Sequence, residues 1–140
     1  VGGAPASAQQ AVREAGRFVG RAFQVQDDLL DLTADGEEWG KAVGGDLVTG
    51  KKTFLTLRAL ERADGAEYEW FSRLVTEGGL PPEDVPEARE RMQRLGVFDD
   101  AREAVKAYTD QARDHLQVLP EGRSADTLHW LLDEMEARSY

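Results

Sequence analysis

No cysteine occurs among the 140 residues, which excludes disulfides, thiolate metal sites and cysteine nucleophiles. Asparagine and isoleucine are missing too, and lysine is scarce, with 4 Lys against 13 Arg. Such a bias fits a GC-rich coding sequence or a preference for thermal robustness. No apolar run approaches the roughly 20 residues that span a bilayer, and no signal peptide is visible. The expected setting is therefore the cytoplasm, with no stable membrane insertion. A basic stripe is also wanting: the formal net charge is −10 at pH 7, which speaks against a nucleic-acid partner. The two histidines, His115 and His129, fall on late helical segments with no Ser-His-Asp arrangement around them, and both are expected to be structural or surface residues.

What is present describes one globular domain. Hydrophobic residues make up 41% and charged residues 31%, a balance that supports a core and argues against disorder. Apolar positions recur at helical spacing throughout, and no strand alternation or internal repeat is seen, so the predicted fold is all-α, a helical bundle. Ser7 followed by Gln10 reads as a capping box opening a helix from about Ala8 to about Leu32. Gly36, Gly40, Gly44, Gly45 and Gly50 then mark a long polar loop. Further helices are predicted at about Thr53–Ala63 and Glu67–Thr76, and in a segment that starts among Pro81, Pro82 and Pro86 and ends near Leu95. The last two run from about Asp99 to Leu119 and from a Ser124 cap through Met135.

The first helix carries "FQVQDDLLD", Phe23 to Asp31, where three aspartates interrupt an otherwise packable element. Asp27 and Asp31 stand one turn apart with Gln24 one turn earlier, and Asp28 lies about 100° round from Asp27. Like charges at i, i+4 repel, aspartate is a mediocre helix former, and the macrodipole disfavours anions near a helix C-terminus. Gly16 and Gly20 weaken the helix further. A second pair, Asp99 and Asp100 in "FDDARE", opens a helix instead, where capping and the dipole favour it, and no ligand is assigned to it. For Asp27, Asp28 and Asp31 a bound cation resolves the conflict. Carboxylates without His or Cys suit Mg²⁺, or Mn²⁺, far better than Zn²⁺. Mg²⁺ uses few carboxylates and completes its shell with water and substrate phosphates. Three of the four lysines, Lys41, Lys51 and Lys52, follow among glycines that let backbone and ammonium groups approach an anion. Carboxylates beside lysines on a flexible loop point to a diphosphate site, with simple solvent exposure the competing account for Lys52.

"GRFVGRAFQVQDDLLD" followed by "GKAVGGDLVTGKKT" resembles the second aspartate-rich region of the trans-isoprenyl (polyprenyl) diphosphate synthases. That family's pattern is a Phe-Gln pair, Asp-Asp-x-x-Asp, Gly-Lys, an Asp and Gly-Lys-x-Thr; Phe23, Gln24, Asp27, Asp28, Asp31, Gly40, Lys41, Asp46, Gly50, Lys51 and Thr53 match it. The resemblance implies head-to-tail prenyl transfer, in which an allylic diphosphate condenses with isopentenyl diphosphate. It assigns Mg²⁺ to Asp27, Asp28 and Asp31, and diphosphate binding and charge stabilisation to Lys41 and Lys51. Gln24 supports the same pocket, and Asp46 orients the lysine loop. A homodimer is implied for the full-length enzyme.

These 140 residues resemble only about half of such an enzyme. The family's first aspartate-rich motif and its nearby arginines are not among them, and Val1 is not a methionine. The expectation is the C-terminal half of a single all-helical synthase domain, residues 1–140, inactive on its own. A non-catalytic partner subunit would have been favoured by loss of the aspartates or lysines, which are all present. A class I terpene cyclase fragment is disfavoured because its second metal motif uses an Asn. Small residues at 15, 16, 20 and 22 suggest that the first helix packs closely against something else.

Overall fold

The computed structural model describes residues 3–33 and 43–137, and every regular element among them is helical, as the periodicity predicts. In chain order these are α1 (Ala6–Thr33), α2 (Gly45–Val48), α3 (Phe54–Arg62), α4 (Gly65–Glu77), a 3-10 turn (Pro82–Asp84), α5 (Val85–Arg94), α6 (Val97–Leu116) and α7 (Arg123–Ala137). Among the described residues no helix is long and apolar enough to cross a membrane. Two expected caps are not formed: α1 begins at Ala6 and α7 at Arg123, so Ser7 and Ser124 lie inside the first turns. At the N-terminus of α1, Gln9 N–H donates to the Pro5 carbonyl at 3.1 Å.

The backbone divides into two compact units. The first comprises Val1–Gln26 and Arg102–Tyr140. Ala15 on α1 packs with Ala112 and Leu116 on α6 and Leu132 on α7, and Phe18, Val19 and Leu128 press against them. Gln26 is buried, and its Nε2 donates to the Met135 carbonyl at 2.7 Å. Arg113 of α6 reaches Asp133 at 2.5 Å and Glu136 at 2.6 Å, tying α6 to α7. His115 is not isolated, because its ring stacks on Phe18 with centroids 5.5 Å apart. The small residues of α1 divide by face. Ala15 and Ala22 are buried in this unit, whereas Gly16 and Gly20 are exposed, with nothing within 4 Å of where a side chain would begin.

The second unit is Asp27–Ala101. Leu29, Leu32, Leu47, Leu55, Phe71 and Met92 are all buried here and supply most of its apolar interior. The glycines of the predicted loop have a packing role rather than a purely flexible one. Gly50 has φ +64°, and a Cβ there would lie 2.3 Å from the Gly78 carbonyl carbon. Gly79 has φ +125° and would place a Cβ 2.1 Å from the Val48 oxygen. Only glycine permits two backbones to meet this closely in these conformations. Leu80 N–H then donates to the Leu47 carbonyl at 3.2 Å, so the segment just before Lys51 is seated on the turn that ends α4.

Candidate functional site

The last two turns of α1, together with α2 and the N-terminus of α3, build the site within the second unit. The chain returns to α1 where Gly44 N–H donates to the Asp31 carbonyl at 2.8 Å. The Asp31 carboxylate extends the contact, its Oδ2 accepting from Asp46 N–H at 3.1 Å. At α3, Thr53 caps the helix: its hydroxyl oxygen accepts from Thr56 N–H at 3.2 Å. A second donor of that first turn, Phe54 N–H, goes to Asp28 Oδ2 at 3.0 Å. Asp28 thus answers donors that a helix N-terminus always leaves open, with the dipole in its favour.

Lys51 joins these pieces. Its ammonium lies 2.6 Å from Asp46 Oδ2 and 3.4 Å from Asp28 Oδ1. The Lys51 side chain is 49% exposed and the Asp28 side chain only 3%, so the cation sits at the rim and the carboxylate beneath it. An ammonium has three donors, and two carboxylates leave it able to bind a further anion.

The cost of assembling these charges shows in their titration. Burial pushes the Asp28 carboxyl above the ordinary aspartate value, against the opposing pull of Phe54 N–H and Lys51. Burial likewise raises Asp31, opposed by the Asp46 N–H. The Asp46 hydrogen bond raises Lys51, which therefore stays protonated at neutral pH.

The three aspartates of α1 thus differ. Asp28 is buried and both its oxygens have protein partners. Asp31 spends one oxygen on Asp46 N–H. Asp27 is exposed and has no hydrogen bond or ion pair among the described residues. Among the described residues, Asp27, Asp28, Asp31 and Asp46 lie in this region with Lys51, and such hard oxygen donors fit Mg²⁺ or Mn²⁺. Among the described residues no group of three or more carboxylates or imidazoles is arranged to hold a metal unaided.

Of the other residues expected here, Lys41 lies outside the described residues. Gln24 is exposed on the stretch of α1 that belongs to the first unit. Lys52 is exposed and has no ion pair among the described residues, in keeping with a solvated side chain. Two structural features escaped the sequence: the role of Gly78-Gly79 as the seat for the lysine segment, and the ion pairs of the buried Asp100 carboxylate with the half-exposed arginines of α3. Arg58 and Arg62, one turn apart, were the only signal for the latter.

A family model described as Polyprenyl synthetase matches residues 1–92. Geranylfarnesyl diphosphate synthase of Natronomonas pharaonis is 38% identical over 131 residues, covering 94% of this chain and 37% of that protein. Among solved structures, polyprenyl synthase from Caulobacter crescentus CB15, complexed with calcium and isoprenyl diphosphate, superposes with a TM-score of 0.87 at 30% identity, over 99% of this chain and 42% of that one. Geranylgeranyl pyrophosphate synthase from Corynebacterium glutamicum, complexed with isoprenyl diphosphate and magnesium, gives a TM-score of 0.77 at 28% identity, over 98% and 38%. The chain spans about two fifths of the length of the curated relatives it matches.

Proposed function

The chain belongs to the polyprenyl synthetase family, and from that premise we propose that it forms the cation- and diphosphate-binding wall of a prenyltransferase that condenses an allylic diphosphate with isopentenyl diphosphate. The observation that carries the proposal is Lys51, protonated and half exposed, held between Asp46 and the buried Asp28, with Asp27, unpartnered among the described residues, on the same helix as Asp28.

In this reading Asp27 and Asp31 hold Mg²⁺ or Mn²⁺. Held there, such a cation would supply charge neutralisation to the allylic diphosphate and so favour its departure. Lys51 directs its remaining donor at a diphosphate oxygen and stabilises the charge that grows there as the carbon–oxygen bond breaks. Asp46 and Asp28 hold the ammonium in place, so that little reorganisation is needed when the substrate arrives. Asp28, grouped with the metal ligands by the resemblance, therefore acts mainly on Lys51 and α3. Lys41 and Gln24 keep the diphosphate roles that the resemblance implies. The companion wall with the first aspartate-rich motif, the pairing of two full-length copies and a cytoplasmic setting belong to the same proposal.

Titration calorimetry with Mg²⁺ and inorganic pyrophosphate tests the wall directly. Asp27→Ala and Lys51→Met are each expected to weaken binding at least tenfold, about 1.4 kcal/mol. Equal affinity in wild type and Asp27→Ala would return the cluster to an acidic surface. The 140-residue chain alone is expected to show no synthase turnover; prenyl product from isopentenyl diphosphate and an allylic primer would refute that.

A further inference from the structure

Away from the diphosphate wall, one buried carboxylate gathers three contacts from a single helix. Asp100, in the first turn of α6, is 7% exposed. Arg62 of α3 donates to both its oxygens, from Nε to Oδ2 and from Nη2 to Oδ1, the second at 2.5 Å. Arg58 Nε lies 3.1 Å from Oδ2, an ion pair without hydrogen-bond geometry. Both helix ends favour the arrangement, since Arg62 is in the last turn of α3 and Asp100 in the first turn of α6.

Besides these contacts, a narrow strip of buried side chains packs α3 against α4. Helix α3 has 9 residues, and its buried side chains are Leu55, Thr56 and Ala59. Leu57 is 49% exposed. A helix this short is marginal by itself, and so narrow an apolar strip sets its tilt and rotation weakly. Its other end carries the site: Phe54 N–H holds Asp28, and Lys51 leads directly into the helix. A tilt of about 10° over a helix about 13 Å long moves its far end by roughly 2 Å. The 3.0 Å bond from Phe54 to Asp28 would not survive such a shift. Arg58 adds a link along the helix, its guanidinium lying 5.8 Å from the centroid of the Phe54 ring.

We propose that Asp100 is a positioning residue for the diphosphate wall: by clamping Arg58 and Arg62 it orients α3, and so places Phe54 N–H on Asp28 and the Lys51 ammonium at the site. The proposal rests on Lys51 as the diphosphate ligand, and its test separates the two claims.

Asp100→Asn in the full chain keeps the shape and removes the charge. The ligand-free readout is the Phe54 amide proton in a ¹H–¹⁵N spectrum, which a carboxylate acceptor shifts downfield; Asp100→Asn is expected to move it upfield. The binding readout is affinity for Mg²⁺ with inorganic pyrophosphate, expected to fall about fivefold with Lys51 present and less than about twofold in a Lys51→Met background. Arg62→Lys, which keeps the charge but loses the two-bond fork, should shift the Phe54 amide in the same direction and serves if Asp100→Asn does not fold. A lower melting temperature with an unmoved Phe54 amide would make Asp100 merely stabilising and overturn the proposal, as would equal affinity losses in the two backgrounds. Absence of pyrophosphate binding by wild type would overturn the diphosphate reading, while the Phe54 shift would still decide whether Asp100 governs α3.

Discussion

Asp28→Asn separates the structural cost of the site from its function. The Asp28 side chain is 3% exposed, and burial raises its pKa despite a hydrogen bond from Phe54 N–H and the nearby Lys51. The desolvation penalty therefore exceeds what those two partners return. Asparagine keeps an acceptor for Phe54 N–H. It forfeits the 3.4 Å contact with Lys51, which still has Asp46 at 2.6 Å. That half-exposed pair contributes about 0–1 kcal/mol. Removing the buried charge offsets the loss, so stability at pH 7 should be unchanged or higher by up to about 1 kcal/mol. Asp28→Ala leaves Phe54 N–H without an acceptor and should cost about 1–3 kcal/mol. The pH dependence has a definite sign. A carboxyl whose folded pKa is raised contributes stability that is fully present below the unfolded value and lost as pH rises through the folded one. The advantage of Asp28→Asn should therefore be largest at pH 7 and shrink as the pH falls toward the ordinary aspartate value of 3.8. Urea denaturation followed by far-ultraviolet circular dichroism between pH 4 and 7 reads both effects. A loss above about 1 kcal/mol for Asp28→Asn at pH 7, or a gap that widens on acidification, would show that the ion pair outweighs the burial cost.

Gly50→Ala should destabilise the fold by about 2–4 kcal/mol in the same urea assay, because it adds overpacking against Gly78 to an unfavourable positive φ. Gln26→Ala deletes the buried bond to the Met135 carbonyl and should cost about 1–3 kcal/mol while leaving pyrophosphate affinity unchanged in calorimetry. Asp27→Ala should do the reverse, altering stability by no more than about 0.5 kcal/mol while weakening Mg²⁺–pyrophosphate binding.

Much of the fold was legible because helical periodicity is a local signal. The predicted helix around Glu67–Thr76 falls within α4, and Gly96, just past α5, takes the positive φ expected after a helix end. Cap positions were less legible. Ser7 and Ser124 carry suitable side chains, but the helices extend past them, and the Pro5 and Gly122 carbonyls accept the terminal backbone bonds instead. The 45–50 segment was read as polar loop because glycine looks alike in sequence whether it provides freedom or close approach. Its function depends on Gly78 and Gly79, about 30 residues away in the chain, and no periodicity reports such a meeting.

The two aspartate pairs show why the site itself was only half readable. Local rules set Asp27 and Asp28 against their helix and set Asp99 and Asp100 in harmony with theirs, so a ligand was assigned to the first pair alone. Tertiary structure divides the pairs differently. Asp28 is answered by the N-terminus of α3 and by Lys51. Asp100, which local rules treated as a simple first-turn residue, is buried against two arginines and so is also bound to α3. Both carboxylates thus hold the same nine-residue helix, one at each end. Among the described residues, Asp27 stays locally opposed and without a protein partner, with one oxygen of Asp31 nearby on the same helix. The case for a bound cation therefore rests on these two residues. A ligand that neutralises them should stabilise the fold by an amount that grows with the logarithm of its concentration over its Kd, which makes the Mg²⁺ dependence of the urea midpoint a measure of the site independent of turnover.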